Sequence, residues 1–251
     1  MIDPNAPGFW AELFEVLLIA TGETLYMVFF ALLLTVLIGL PLGVVLVTTE
    51  TGGILEKPFG SQPVGRILNR VLEFVVNLGR SVPFVILMVA LIPFTRLVVG
   101  TSIGSTAAIV PLSAVAIPFF ARMVEIAIKE VDAGLVEAAE SLGATRWQII
   151  SKVLVPEALS PMILGLATTV TSIINFSAMV GVVAGGGLGS VALRYGYQRY
   201  SVIHMITVII IIFVIVMVLQ GIAARLARRL AHRGSASATT VRDKIAADVP
   251  A

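Results

Sequence analysis

The sequence predicts an all-α fold: a polytopic membrane bundle of about five transmembrane helices, with the N-terminus outside and the C-terminus in the cytoplasm. Of the 251 residues, 58% are hydrophobic and 13% are charged, and the mean hydropathy is +1.02. Soluble domains contain roughly 45–50% apolar and about 25% charged residues. One soluble core of this length could not bury so much apolar surface, whereas a bilayer accommodates it.

Five segments are apolar over about the 20 residues that a spanning helix needs. The third and fourth are rich in Ala, Thr and Ser, which let helices approach closely in lipid, so we expect them inside the bundle. Five prolines within the spans are expected to act as packing kinks or as hinges: Pro41, Pro83, Pro93, Pro111 and Pro118. The predicted spans are 24–47, 81–99, about 104–123, about 158–184 and 202–223.

Basic residues indicate the orientation of the spans. No Lys or Arg precedes the first span, and most of the 17 follow the first, third or fifth span. Because Lys and Arg are enriched in cytoplasmic loops, the N-terminus is predicted outside. The chain then divides into an extracytoplasmic or interfacial segment (1–23), a transmembrane domain (24–224) and a tail (225–251). The tail is basic at first and is predicted to be disordered beyond Gly234.

Two shorter segments flank the first span. The segment 9–20 is predicted to be a separate amphipathic helix in the outer interface. The segment 64–79 places Ile67, Val71 and Phe74 at helical spacing. It is predicted to be an interfacial helix or an extension of the second span.

The loop between the third and fourth spans, about 125–156, is too polar for the bilayer. Its apolar residues at i, i+3, i+4 and i+7 predict one stripe on a short helix: Leu135, Ala138, Ala139 and Leu142. Gly143 is predicted to cap this helix in the left-handed conformation, and Thr145 to begin a second one. Pro156 is predicted to turn the chain back toward the membrane. Periodicity alone leaves open whether the stripe enters a groove on another protein or packs beneath its own bundle.

The same loop carries a family resemblance. Glu137-Ala138-Ala139, Gly143 and Pro156 resemble the EAA signature of ATP-binding-cassette importer permeases. Val153 and Val155 stand where that signature usually has Ile and Leu. The resemblance extends over about residues 20–225, where the runs 80–104, 107–111, 121–125, 176–181 and 184–189 are similar to methionine-uptake permeases.

The resemblance implies a set of partners and a coupling site. Two permease subunits pair with two cytoplasmic ATPases in the bacterial cytoplasmic (inner) membrane, and an extracytoplasmic binding protein delivers the substrate. The loop of such permeases inserts into a cleft of the ATPase and transmits its closure to the spans. ATPase coupling is therefore assigned to Leu135, Glu137, Ala138, Ala139, Leu142, Gly143 and Pro156.

The fourth span holds the candidate pathway residues. Asn175 is polar within an apolar stretch and serves either as an ordinary interhelical hydrogen-bonding group or as part of the path. Met179 lies one turn further on, and the matching position in the family is at the narrow point of the path. We assign Asn175, Ser177 and Met179 to the pathway, with Met179 of two copies meeting as an apolar gate.

Several function classes are disfavoured by what the sequence lacks. No G-x-x-x-x-G-K-[ST] motif occurs, so ATP is expected on a partner ATPase rather than on this chain. With no cysteine and two distant histidines, no metal or other cofactor is expected. Neither a catalytic triad nor a basic stripe with aromatics is present, so neither an enzyme nor a nucleic-acid binder is predicted. The glycines at 185–189 are predicted to form a flexible bend.

The sequence therefore favours the permease subunit of an ATP-driven importer, working as a homodimer. Methionine, in its L- and possibly D-form, is the substrate that the resemblance implies. Three alternatives remain open: the same type of importer for another amino acid or small metabolite, a carrier or channel without ATP, and a membrane scaffold that recruits a cytoplasmic protein. Few ionisable groups lie within the spans, which disfavours an ion-coupled carrier.

Overall fold

The computed structural model describes residues 7–50, 53, 62–183 and 185–247. These residues form helices and turns, and no strand occurs among them, which confirms the all-α prediction. Residues 1–6, Lys57 and 248–251, which entered the topology and domain predictions, lie outside the described part. The α-helices are α1 (Phe9–Thr48), α2 (Gln62–Ser81), α3 (Phe84–Ala90), α4 (Ile92–Val99), α5 (Ser105–Lys129), α6 (Ala133–Ser141), α7 (Arg146–Ile149), α8 (Val155–Glu157), α9 (Leu159–Val180), α10 (Gly187–Val191) and α11 (Val202–Ala247).

Four of the described helices are long and apolar enough to cross a membrane: α1, α5, α9 and residues 202–230 of α11. A fifth span results if α2 and α3 are counted as one bent pair, in which the axis turns by 109°. This number agrees with the prediction of about five spans. The chain is therefore a membrane-embedded helical bundle.

The predicted second span, 81–99, is not one helix. It breaks at Val82 and Pro83 and again at Leu91, which leaves the short helices α3 and α4. A proline has no N–H and pushes the residue before it out of the helical region, so Pro83 precedes α3 and Pro93 lies in the first turn of α4. The remaining predicted kink sites stay inside α1 and α5: Pro41, Pro111 and Pro118.

α1 is a single helix of 40 residues. At 1.5 Å per residue it is about 60 Å long, roughly twice the thickness of the hydrocarbon core of a bilayer. The segment 9–20 is thus not a separate helix but the first turns of α1. Its buried residues Phe9, Leu13 and Leu17 pack against α10 and α11, and this packing holds the helix in line with the span.

Small residues let α1 lie directly against α5, which is the most buried of the candidate spans. A Cβ atom on Gly43 would lie 2.5 Å from the carbonyl oxygen of Ala121 and 2.6 Å from the Cβ atom of Val124. On Gly39 it would lie 3.1 Å from the carbonyl oxygen of Ile117. These glycines complete a row of buried small residues, four apart along α1: Ala31, Thr35, Gly39 and Gly43.

The third and fourth spans were predicted to lie inside the bundle. The third, α5, does so, whereas the fourth, α9, leaves one long face exposed. The main core cluster joins α1, α3, α5 and α9. Phe84 of α3 stacks on Phe176 of α9 with ring centroids 4.7 Å apart. α11 packs on the other side of α9, where the hydroxyl of Ser160 donates to the carbonyl oxygen of Ala227 at 3.1 Å.

Two segments are more ordered than the sequence predicted. The glycines at 185–189, expected to form a flexible bend, lead into α10. Its backbone is held to α1, because Glu23 accepts the N–H of Gly187 at 2.6 Å and Thr24 accepts that of Leu188 at 2.9 Å. α11 continues to Ala247, past the point where disorder was predicted. Residues 235–247 include no proline and several good helix formers, so no local signal ends the helix.

The bundle has two distinct ends. The last turns of α1 and α5 and the helices α6 to α8 lie together, and we refer to this end as the loop end. The start of α5 and the helix α10 lie at the opposite end, beside residues 23 and 24 of α1.

Gly43→Ala is expected to destabilise the bundle, because its methyl group would overlap the α5 backbone at Ala121. Overpacking of this kind costs about 1–3 kcal/mol. Thermal unfolding in detergent measures the effect as a lowered midpoint. Gly22→Ala is the matched control on the same helix, since a Cβ atom there meets nothing within 4 Å. An equal midpoint for the two variants would contradict the direct α1–α5 contact.

Candidate functional site

The end of α6 is fixed by backbone hydrogen bonds at a glycine. Gly143 has a φ of +77°, and its N–H donates to the carbonyl oxygen of Glu140 at 2.9 Å. The next N–H, of Ala144, donates to the carbonyl oxygen of Ala139 at 3.0 Å. These two bonds form a Schellman motif, which requires a left-handed residue at this position. The prediction that Gly143 caps the helix is confirmed.

The starts of α6 and α7 are capped by side chains. The carboxylate of Asp132 accepts the N–H of Gly134 at 2.7 Å. Thr145 and Gln148 form a capping box: the Thr145 hydroxyl accepts the N–H of Gln148 at 3.4 Å, and the Gln148 side chain accepts the N–H of Thr145 at 2.8 Å. The prediction that Thr145 begins the second helix is confirmed. The loop is therefore two short helices joined at a sharp corner that backbone and side-chain hydrogen bonds hold.

The chain does not reverse at Pro156. After α7 it continues through a π-helical turn, Ile150–Leu154, and then α8, and it enters α9 after Ala158. Pro156 lies in the first turn of α8, where its missing N–H costs little. The predicted turn is thus a nearly continuous helical path from the loop into the fourth span. Pro156 itself is exposed.

The apolar residues of α6 lie in two rows, and the predicted stripe is split between them. Val136 and Ala139, together with Ala144 after the helix, pack against buried residues at the loop end of the bundle. Leu135 and Leu142, on the other side, are exposed, and the side chain of Leu142 is 88% exposed. Ala138, Glu137 and Glu140 are exposed as well. Ala139 therefore belongs to the row that attaches α6 to its own bundle, whereas Leu135 and Leu142 leave a second face of the helix exposed.

Trp147 is part of the exposed surface and was not among the predicted site residues. It lies in α7 and is 74% exposed. A large aromatic within a polar loop, two residues after an N-cap, is the sequence signal that could have identified it. Leu135, Leu142 and Trp147 are the three large exposed hydrophobic residues of α6, α7 and their connection, and we refer to them as the outer row.

α9 exposes a face that carries polar groups. Leu164, Thr168, Asn175 and Met179 are exposed, and Ser172 between them is half-buried. The hydroxyls of Thr168 and Ser172 donate to backbone carbonyls one turn earlier, both at 3.1 Å. Among the described residues the Asn175 amide has no hydrogen-bond partner. An unpaired amide facing lipid is costly, so this face is suited to a water-filled path or to a second protein surface.

Ser177 does not share that face. Its side chain is buried, and its hydroxyl donates to the carbonyl oxygen of Ile174 at 2.7 Å. Two residues along a helix correspond to about 200° of rotation, so Ser177 points away from both Asn175 and Met179. Of the three predicted pathway residues, the structure brings together Asn175 and Met179 alone.

The described part of the chain holds no group of three or more His, Cys, Asp or Glu side chains placed to bind a metal ion. His204 is buried in α11, where Nδ1 lies 2.7 Å from the hydroxyl of Ser201 and the ring stacks on Tyr195. It has a packing environment rather than a ligand set.

The chain is similar to known proteins in sequence and in fold. A permease from Vibrio cholerae, described as a probable D-methionine transport system permease protein MetI, is 52% identical over 219 residues, covering 87% of this chain and 94% of the relative. Its counterpart of the same description in Pasteurella multocida is 48% identical over 206 residues, covering 82% and 89%. A chain of the MetNI methionine ABC transporter, solved in inward-facing conformations, superposes with a TM-score of 0.82 at 42% identity, covering 87% of this chain and 98% of that chain.

The family model for binding-protein-dependent transport system inner membrane components matches residues 58–232. That range includes the capped loop, the exposed face of α9 and most of the described spans, and it exceeds half of the chain. The chain belongs to the family of binding-protein-dependent transport system inner membrane components.

Proposed function

We propose that the chain is the permease subunit of an ATP-binding-cassette importer for methionine. Two copies form the translocation path, and a separate ATPase binds and hydrolyses ATP at the loop end. An extracytoplasmic binding protein delivers the substrate at the opposite end. Family membership and the relatives named for methionine transport support this proposal. The chain itself catalyses no reaction in this scheme.

The outer row of the loop is the observation that carries the proposal. Leu142 and Trp147 are large apolar side chains exposed in a segment too polar to enter lipid. Caps at Asp132, Gly143 and Thr145 hold them in one geometry, so little conformational entropy is lost on docking. An exposed apolar helix face of this kind fits a groove on a partner protein. Glu137 and Ala138 lie beside the outer row and complete the proposed ATPase contact.

The second copy supplies the other wall of the path. About five spans are too few to enclose a solute and to shield it from lipid. The α9 face with Asn175 and Met179 is exposed in one chain, and pairing two copies across it would give a path with polar walls and an apolar constriction. Closure of the ATPases moves the two loops together and opens the opposite end, which is alternating access.

The orientation follows from charge and from the proposed ATP source. ATP is cytoplasmic, so the loop end faces the cytoplasm of a bacterial cell and the N-terminus of α1 faces outside. Arg66, Arg70 and Lys152 lie at or near the loop end, as enrichment of basic residues on the cytoplasmic side requires.

Uptake into proteoliposomes tests the proposal. The permease is reconstituted with its ATPase and binding protein, and labelled L-methionine is offered with unlabelled L-methionine, D-methionine or other amino acids as competitors. We expect accumulation that needs ATP and that both methionine isomers compete. Preferential competition by another amino acid would reassign the substrate, uptake without ATP would indicate a carrier, and absence of uptake would favour a scaffold.

Leu142→Ala is expected to weaken binding of the ATPase about tenfold, within the range for an apolar residue central to an interface. Its side chain is nearly free of contacts in the single chain, so the thermal unfolding midpoint should not change. The dissociation constant for the purified ATPase measures the effect. Leu97→Ala is the matched control, because Leu97 is 83% exposed but lies in α4, away from the loop end. Equal affinities for the two variants would argue against docking at the outer row.

Met179→Ala is expected to open the constriction and let substrate pass without coupled ATP hydrolysis, because an apolar gate depends on bulk and dewetting. Efflux of preloaded methionine from proteoliposomes without ATP should rise severalfold. Met217→Ala removes another exposed methionine, from α11, and should leave efflux at the wild-type rate. Unchanged efflux in Met179→Ala would remove this residue from the gate.

A further inference from the structure

Four charged side chains form a continuous series of ion pairs at the loop end. Arg122 Nη1 lies 2.7 Å from both carboxylate oxygens of Glu125. Lys129 Nζ lies 3.1 Å from Glu125 Oε1 and 2.7 Å from Glu50 Oε2. The side chain of Glu125 is 3% exposed, whereas those of Lys129 and Glu50 are each 43% exposed. The series thus runs from a buried carboxylate to the surface.

The buried part of the series belongs to one helix. Arg122, Glu125 and Lys129 are all in α5, at spacings of three and four residues. A buried carboxylate is stable only when cations and hydrogen bonds compensate its charge, so this set keeps the last two turns of α5 intact. Among the described residues, the Lys129–Glu50 pair is the ion pair of this series that joins α5 to the residues after α1.

That crossing pair lies where the loop begins. Lys129 is the last residue of α5, and α6 starts four residues later. Glu50 lies two residues beyond the last residue of α1, and the Asn69 side chain of α2 donates to Leu46 and Thr49 of the same end at 2.8 and 3.2 Å. The Lys129–Glu50 pair therefore connects the base of the loop to α1, and through Asn69 to α2.

We propose that Lys129 and Glu50 are positioning residues for coupling, and the proposal rests on the importer function argued above. α6 follows Lys129 after a connection of three residues, so a displacement of α6 reaches the end of α5 through that connection. The pair passes that displacement to α1, so that α1, α2 and α5 move together. An ion pair between two half-exposed side chains is weak, and it can open and close during the cycle without unfolding either helix.

A double-mutant cycle on the transport ratio tests the pair. Glu50→Gln, Lys129→Gln and the double variant are reconstituted with the ATPase and binding protein, and substrate moved per ATP hydrolysed is measured. We expect each single variant to lower this ratio about two- to fivefold, the range for loss of a half-exposed ion pair. The double variant should have the same transport ratio as Lys129→Gln, because that single variant already removes the Lys129–Glu50 pair. Lys129→Arg keeps the charge and should restore the ratio.

Glu130→Gln is the matched control. Glu130 is adjacent to Lys129, is exposed and has no ion-pair partner among the described residues, so this variant should keep the wild-type ratio. In Glu50→Gln the affinity for the ATPase and the unfolding midpoint should not change. A lowered transport ratio would then come neither from weaker ATPase binding nor from a less stable fold. A wild-type ratio in Glu50→Gln, or effects of the two single variants that multiply in the double, would overturn the proposal. Failure of the wild-type complex to couple ATP to uptake would instead overturn the importer function.

Discussion

Close approach of neighbouring helices to α5 at glycines is the constraint on which the rest of the bundle depends. In a bilayer no hydrophobic force drives helices together, so close packing at small residues must do so. Three helices meet α5 through a glycine: Gly43 of α1 at Ala121, Gly79 of α2 at Pro118 and Gly165 of α9 at Met123. At Gly79 and Gly165 an added Cβ atom would lie 2.7 and 2.8 Å from its neighbour. α5 is therefore the central helix on which α1, α2 and α9 pack.

The position of the loop is set by α5. α6 follows α5 after a short connection and packs on the residues around Ile128, Ile149 and Leu154. Because α5 contacts α1, α2 and α9 along its length, its end is attached to the rest of the bundle. The helical path through α8 into α9 gives the loop a second rigid attachment. A displacement applied to the outer row can thus enter two spans at once.

Local features were predictable from the sequence, and features that depend on distant neighbours were not. Composition indicates the membrane bundle, and Gly143 and Thr145 reveal their capping roles through residue type and spacing alone. The two rows of α6 could not be assigned, because periodicity shows that a face is apolar without showing what covers it. Ser177 was misplaced although helical rotation alone puts it about 200° from Asn175 and Met179; only the choice of which α9 face is exposed depends on neighbouring helices. The Lys129–Glu50 pair joins residues far apart in the sequence, and only the folded bundle brings them together.

Because α6 has two rows, different residues of the loop attach it to its own bundle and form its exposed surface. Val136 and Ala139 fix the helix to its own chain, whereas Leu135, Leu142 and Trp147 carry almost none of that attachment. The side chains that are proposed to bind the ATPase can therefore be changed without changing the residues that attach the helix to its own chain. Under the proposed docking, exchanging the three outer side chains for those of another permease is expected to redirect this bundle to a different motor subunit while its path stays as it is.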